Sequence, residues 1–592
     1  TTMGGGKMNF LAEINGKISG IVWGVPMLAL MLFTGAYFTL RSKFFQLRRF
    51  GHCMKKTVFA GHDKKKREQS SAEKKRRNTV RTEKTESVSQ FHAMCSALAA
   101  TLGTGNIAGV STALAVGGAG AVFWMWVSAV LGMMTGYAEN VLGIFYRKKD
   151  KKGVWRGGAM RYIHDGLAER RITKPLAKPL SVIYAGLCVL AAFGMGDMAQ
   201  MNAAAEALSV NFGIAPIVTG IVLAGCAAAV MAGGIKRIGS ITAKIVPLMS
   251  GFYIIGSLYI VIANAPRIPS MLSGIFEGAF GFGAVGGGIA GFAVKKAISY
   301  GIRRGVFSNE AGLGTSVLAH AASDVKEPAV QGMWSVFEVF FDTVVMCSLT
   351  AFVLLASPCR APSASEALNN ITVDTQYFAL TESGGLFSDG VPCPVVGEGK
   401  EQRCHTAYGG EFTLALDGGD ITFSNIMTIR GIQSRDEAGA LLWLDEEKTR
   451  PLIESVEIAP LNGVGLATYA FSGSFGGAAG KLLAAAVLLF AFSTVLGWSH
   501  FGSEAAVFLF GEKAVIPFKA AFVVMGVVGA CIELSMVWDI SDTVNGLMAI
   551  PNLFAVLCLS KKVLEITRNY ESRTFRNSSE KPLLSAQDCN SE

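Results

Sequence analysis

The sequence predicts an all-α polytopic membrane protein of about eleven transmembrane helices, and three observations predict it. Of the 592 residues, 51% are hydrophobic and only 17% are charged, against roughly 25% charged in ordinary soluble domains; mean hydropathy is +0.40. Apolar windows of ~18–25 residues recur along the chain, each long enough to cross ~30 Å of hydrocarbon. The 69 glycines suit helices that pack closely in lipid or break around a ligand. An enzyme built on a soluble sheet is excluded.

The first apolar span, 20–40, lies in an N-terminal unit of residues 1–41, and a basic stretch, 42–90, follows it. Between Arg41 and Glu86, 16 Lys and Arg oppose 5 Asp and Glu, a balance of +11 within a chain of net charge +10. One basic loop between two apolar spans reads as a cytoplasmic topology signal, with weak attraction to anionic headgroups, and not as a nucleic-acid surface. The N-terminus shows no basic n-region leading straight into an apolar core, so no removed signal peptide is expected. Spans at 92–117, 121–146, 180–210, 215–235 and 243–263 build a unit of residues 91–263. Spans at 284–301 and 330–356 fall in 264–356; those at 479–499, 515–534 and 541–560 fall in 476–562. With the basic loop inside, the N-terminus lies outside and the tail 563–592 is cytoplasmic, in a plasma (inner) membrane. Arg147, Lys148, Lys149, Arg156, Lys236, Arg303, Arg304 and Lys561 then fall inside, whereas the outer connections 118–120, 211–214 and 535–540 hold no Lys or Arg.

Residues 357–475 depart from this pattern. They are polar and rather acidic, hold Cys359, Cys393 and Cys404, and read as an extracytoplasmic insertion with one disulfide. Cys393–Cys404 closes the shorter loop, but three cysteines leave the pairing open. The other eight read as small apolar packers. From Ser572 the tail is polar and reads as disordered.

Two spans are too rich in glycine for simple helices. In the first, Gly103, Thr104, Gly105 and Asn106 cluster at mid-membrane depth; in the second, Gly286, Gly287 and Gly288 precede Ile289, Gly291 and Phe292. Unpaired backbone groups in lipid cost several kcal/mol each, so such breaks persist only where they face a cavity or ligand. Close helix packing is the competing reading. Setting aside the first span leaves five plus five, and each half opens with a broken helix. The halves run in opposite senses, which points to alternating access around a midplane site. Bare N–H groups and a positive dipole end suit a carboxylate, while bare carbonyls beside hydroxyls suit a small hard cation such as sodium.

Six long strings carry a resemblance. They are ALAATLGTGNIAGVSTALAVGG (97–118), AVFWMWVSAVLGMMTGYAE (121–139), RRGVFSNEAGLG (303–314), FFDTVVMCSLTA (340–351), AFSTVLGWS (491–499) and VWDISDTVNGLMAIPN (537–552). Together they resemble the alanine/glycine:cation symporter family, also called the sodium:alanine symporters. The resemblance implies the five-plus-five inverted-repeat amino-acid transporter fold, leucine-transporter-like, with one extra N-terminal helix. It also implies uptake of alanine or glycine coupled to sodium, less often to protons, with sodium as coupling ion and no cofactor.

By the same resemblance, Gly103, Thr104 and Gly105 would meet the substrate carboxylate, with Asn106 as a cation ligand beside them. Carbonyls of Ala99 and Leu102 would face a second cation site completed by Ser493 and Thr494. Thr494 would also reach the substrate from the face of Trp498, since i and i+4 align on a helix. Gln200 would hydrogen-bond the amino acid, and Gly288, Ile289 and Phe292 would form the opposite wall. Duller readings stand beside these. Ser493 and Thr494 suit back-bonding within their own helix, Trp498 an interfacial belt, and Gln200 a helix bridge. Asp342 lies mid-span, where a carboxylate is expensive and functional by default, as a cation ligand or a helix-pairing group. Asp197 and Glu338 are similar, and Asp197 stands where the family often has Asn. His320 reads as a loop or interface residue.

The partners expected are therefore a small amino acid, sodium and the bilayer. One methyl group is worth only ~1–3 kcal/mol, so the expectation stops at the small neutral class. A transporter-like amino-acid sensor would bind without net flux. A multipass membrane enzyme would need an acid/base constellation at a membrane face; Ser308-Asn-Glu310 comes nearest and reads instead as a cytoplasmic gate loop.

Overall fold

Long runs of Leu, Val, Ala and Phe leave the backbone no partner in lipid but itself, so the apolar windows fold as helices. The computed structural model describes residues 15–58, 88–150, 153–280, 287–356, 478–532 and 535–585, short pieces at 467–471, and strands between 371 and 459. Over 287–293, 535–539 and the strands, the backbone alone is described.

Helix α1 (Val25–Arg41) precedes two short helices, Phe45–Arg48 and Phe50–Lys56. Then come α2 (Gln90–Thr101), α3 (Ala108–Gly117) and α4 (Gly120–Phe145). Helices α5 (Lys174–Phe193) and α6 (Ala199–Phe212) run together through a π-helical turn, Gly194–Met198. After α7 (Pro216–Met231) and α8 (Gly234–Ala263) come α9 (Ile268–Phe280) and α10 (Gly287–Asn309). A second π-helical stretch, Phe340–Cys347, joins α11 (Pro328–Val339) to α12 (Ser348–Ala356). The chain continues through α13 (Ala478–Phe510), α14 (Val515–Cys531), α15 (Ser535–Cys558) and α16 (Ser560–Phe575).

Among the described residues, eight helices are long and apolar enough to cross a membrane, and a bent pair makes a ninth if counted as one span. Nine of the eleven windows read from the sequence correspond to these. The two other windows also fold as helices: α7 is short, and Lys295, Lys296, Arg303 and Arg304 make α10 less apolar. Helices α10 and α11 both pack along α4, α5 and α6 pack on α13, and α2 sits between α8 and α13. Trp498, Tyr137, Tyr162 and Tyr184 are the largest fully buried side chains.

Two expectations are corrected. The chain is not all-α, because residues 371–459 carry strands. Glu411–Leu416 pairs antiparallel with Gly419–Ser424, Phe412 opposite Phe423, and with Ile453–Ala459. The period-two alternation of GDITFS and IESVEIA is the local cause. Cys359 and Cys393, and so the expected disulfide, lie outside the described residues. The tail beyond Ser572 is ordered as far as Ser585: Asn569 Nδ2 donates to the Lys581 carbonyl (3.0 Å) and Ser572 Oγ to Glu580 Oε2 (3.0 Å). The apolar stripe of α16, Val563, Leu564, Ile566 and Tyr570, is buried against the bundle and holds it there. From Gly287 onward α10 is helical through Gly288, Ile289 and Phe292, whereas residues 284–286, where the expected break opens, lie outside the described residues. Glycine costs only ~1 kcal/mol in a helix relative to alanine, less than an unpaired peptide group costs in lipid.

Candidate functional site

The first break is where the sequence places it. Helix α2 stops at Thr101, Leu102 and Gly103 are not helical, and Thr104–Asn106 make one 3-10 turn before α3 resumes. The two segments are bent by 57°. Side chains satisfy the backbone groups released there. Gly103 N–H donates to Asn106 Oδ1 (3.0 Å), and Asn106 N–H donates back to the Gly103 carbonyl (3.2 Å). Thr104 donates twice to Gln200 Oε1, from its amide (3.2 Å) and its hydroxyl (2.9 Å). Gln200 Nε2 is in turn anchored on the Met195 carbonyl of the first π-helical turn (3.1 Å). Thr104, Asn106 and Gln200 are all buried.

Glycine is required at Gly103 by proximity. A Cβ there would stand 2.6 Å from Thr494 Oγ1 and 3.2 Å from Gln200 Oε1. Thr494 Oγ1 donates toward two carbonyls, Phe490 in its own helix (3.0 Å) and Leu102 across the break (3.4 Å). Ser493 Oγ donates to the Phe490 carbonyl (2.9 Å) and faces Met249 Sδ (3.3 Å). Back-bonding thus occurs at both hydroxyls, and Thr494 also reaches the broken helix. Ala99 and Leu102 are buried beside them. Trp498 is fully buried and not an interfacial residue; Gly196 of the π-helical turn lies against its ring, and its indole N–H donates to Glu310 Oε1 (3.1 Å).

Asn106 links the break to a second cluster. Its Nδ2 donates to Asp342 Oδ1 (2.7 Å) and Ser308 Oγ (2.9 Å). Asp342 Oδ2 accepts from Ser308 Oγ (2.9 Å) and Thr343 Oγ1 (2.8 Å), and Asn309 Nδ2 donates to Thr343 Oγ1 (3.0 Å). A buried carboxylate therefore sits among neutral donors, with hydroxyl and amide oxygens around it. Hard cations prefer such oxygen ligands, while soft metals prefer sulfur and imidazole. Among the described residues no group of three His, Cys, Asp or Glu could hold a metal ion.

Sequence reasoning missed Thr343 and gave Ser308, Asn309 and Glu310 only a gate-loop role. Those three are all buried, and Ser308 lies beside Gly105. Helix α10 ends there because Glu310 (φ 55°), Gly312 (φ 96°) and Gly314 (φ 72°) turn left-handed. A GLG pair behind a helix was the available signal. His320 ends the short helix Val317–His320, buried at its interface with α11, where it meets Glu338 Oε2 (3.1 Å) and Gln331 Nε2 (2.5 Å). Asp197, also buried, faces Gly526 of α14 and not the break. Gly288, Ile289 and Phe292 are placed by backbone only.

The model of the sodium:alanine symporter family matches residues 8–387 and 451–584. The sodium/alanine symporter AgcS of Methanococcus maripaludis is 35% identical over 95% of this chain and 98% of its own. The probable sodium/glutamine symporter GlnT of Bacillus subtilis is 28% identical over 95% of this chain and 91% of its own. Among solved structures, a manganese transporter of Eremococcus coleocola covers 85% of this chain and 83% of its own at 13% identity, with a TM-score of 0.41.

Proposed function

The chain belongs to the sodium:alanine symporter family, and from that premise we propose that it takes up a small neutral amino acid, alanine or glycine, together with sodium. One observation carries the reading. At the 57° bend the amide and hydroxyl of Thr104 converge on a single buried oxygen, Gln200 Oε1. An oxygen held by N–H and O–H donors at a helix break is the environment a carboxylate needs. The substrate carboxylate takes the place of Gln200 Oε1 against Gly103, Thr104 and Gly105, and the released Gln200 amide turns to the amino acid. Trp498 walls the pocket on one side, with Gly288, Ile289 and Phe292 of α10 opposite.

Sodium has two oxygen sets near this turn. The carbonyls of Ala99 and Leu102 with Ser493 and Thr494 form one; Thr494 already spans from its own helix to Leu102. Asn106, Asp342, Ser308 and Thr343 form the other, and Asn106 touches both the broken turn and Asp342. Asp342 supplies the negative charge that favours a cation over a neutral ligand. The broken-helix bundle, drawn from the repeats 91–263 and 264–356 with 476–562, rocks against the remaining spans in an N-out, C-in orientation, the basic loop 42–90 facing the cytoplasm. One charge moved through 100 mV is worth ~2.3 kcal/mol, enough for roughly fifty-fold accumulation. No substrate bond changes. The name of AgcS, the more similar of the two relatives, supports alanine ahead of glutamine.

Radiolabelled alanine uptake in proteoliposomes tests this. Accumulation above equilibrium is expected only with an inward sodium gradient. Equilibration that ignores the gradient, or accumulation driven by a proton gradient without sodium, contradicts it.

A further inference from the structure

Below the central site the same helix enters a second polar space. Ser499, His500, Ser503 and Glu504 of α13 line a cavity of about 260 Å³, closed by Arg156, Lys236 and Lys519 from three other parts of the chain. Thr494 and Ser503 are nine residues apart on one helix, hence ~13 Å along its axis. Drug-sized ligands occupy pockets of roughly 300–1,000 Å³, so this space suits a molecule of a few non-hydrogen atoms. Its charges are uneven. Of its four charged lining residues three are basic, and the acid, Glu504, is already paired with Arg156. Arg156 holds Asp150 as well (3.1 Å). Lys519 spends one donor on the Met231 carbonyl (2.6 Å), and an ammonium carries three. His500 is 7% exposed, and its Nε2 has no hydrogen-bond partner.

We infer that this cavity is a second, low-affinity site for the transported amino acid, its carboxylate held by Lys519 and Lys236 and its ammonium directed to Glu504 and His500. The inference rests on the amino-acid transport reading above. A zwitterion fits better than a simple anion because the lining offers both signs within one small space. It also fits better than a sodium ion, which the surplus of basic over acidic lining residues would repel. The site lies on the basic face of the bundle, the side expected to be cytoplasmic, so a molecule released past Trp498 meets it on leaving. Bound there, it slows the return of the carrier.

The test is the stoichiometry of radiolabelled alanine bound at equilibrium to the full chain in lipid nanodiscs with sodium. Two molecules per chain are expected. Lys519→Gln should weaken the second by roughly tenfold or more, the loss typical of one charged hydrogen bond. Lys519→Arg should restore it. Gln200→Ala should remove the other molecule and leave this one. One molecule in the native chain, lost with Gln200→Ala and unchanged by Lys519→Gln, overturns the second site while leaving transport standing. Binding of none overturns the transport reading and this site with it. Ser503→Trp, which fills the cavity without touching a charge, covers the case in which Lys519→Gln fails to fold; it should give one molecule, and two would overturn the inference.

Discussion

At the scale of single residues, the site depends on side chains that satisfy a broken backbone. Asn106 closes the turn with its oxygen and reaches Asp342 with its nitrogen. Asp342→Asn keeps the shape and removes the charge, so the sodium concentration for half-maximal uptake should rise by roughly tenfold or more, while alanine affinity at saturating sodium changes little. An unchanged sodium dependence would remove Asp342 from the ion site. Gly103→Ala places a methyl against Thr494 Oγ1 and should cost about 1–3 kcal/mol through overpacking. Adding Thr494→Ala should return much of that stability in thermal unfolding, because the two residues share one contact, but not sodium-dependent uptake. Purely additive losses would show that the contact is absent.

At the scale of elements, α2 and α13 approach too closely for any side chain at Gly497, where a Cβ would lie 2.8 Å from the Ala100 backbone nitrogen. Gly497→Ala should lower thermal stability by about 1–3 kcal/mol. Ala100→Gly should not rescue it, because backbone is among what is struck. The first break was legible in the sequence, since Gly-Thr-Gly-Asn combines weak helix formers with a side chain able to cap the turn. The second lies partly outside the described residues, which begin again at Gly287; from there Gly287, Gly288 and Gly291 are helical, and α10 ends at Glu310–Gly314, where left-handed residues turn the chain. Composition marks weak points in a helix; which of them opens depends on partners from other helices, such as Trp498 for Glu310. Asp342 was legible from its depth alone. Ser308 and Thr343 were not, because hydroxyls are common in membrane helices and only the fold brings these two to one carboxylate.

At the scale of the whole molecule, the apolar windows located every helix of membrane-crossing length and hydropathy among the described residues, because lipid leaves the backbone no alternative to helix within them. They did not reveal strands in the insertion, where short alternating runs are a weak signal, nor the ordered tail, whose helix is apolar on one stripe only. The family match leaves out residues 388–450, so replacing them with a short Gly-Ser linker should preserve sodium-driven alanine uptake within about twofold, a change below ~0.5 kcal/mol. Loss of uptake in a folded protein would make the insertion part of the transport machinery. The central claim is that substrate carboxylate and cation share one unwound turn, which makes their binding energies interdependent and reciprocal. The direct measurement is the sodium affinity of the purified protein with and without alanine, and the alanine affinity with and without sodium. Each ligand should tighten the other by the same factor, about 5–150-fold; a factor of one in both directions would contradict a shared site.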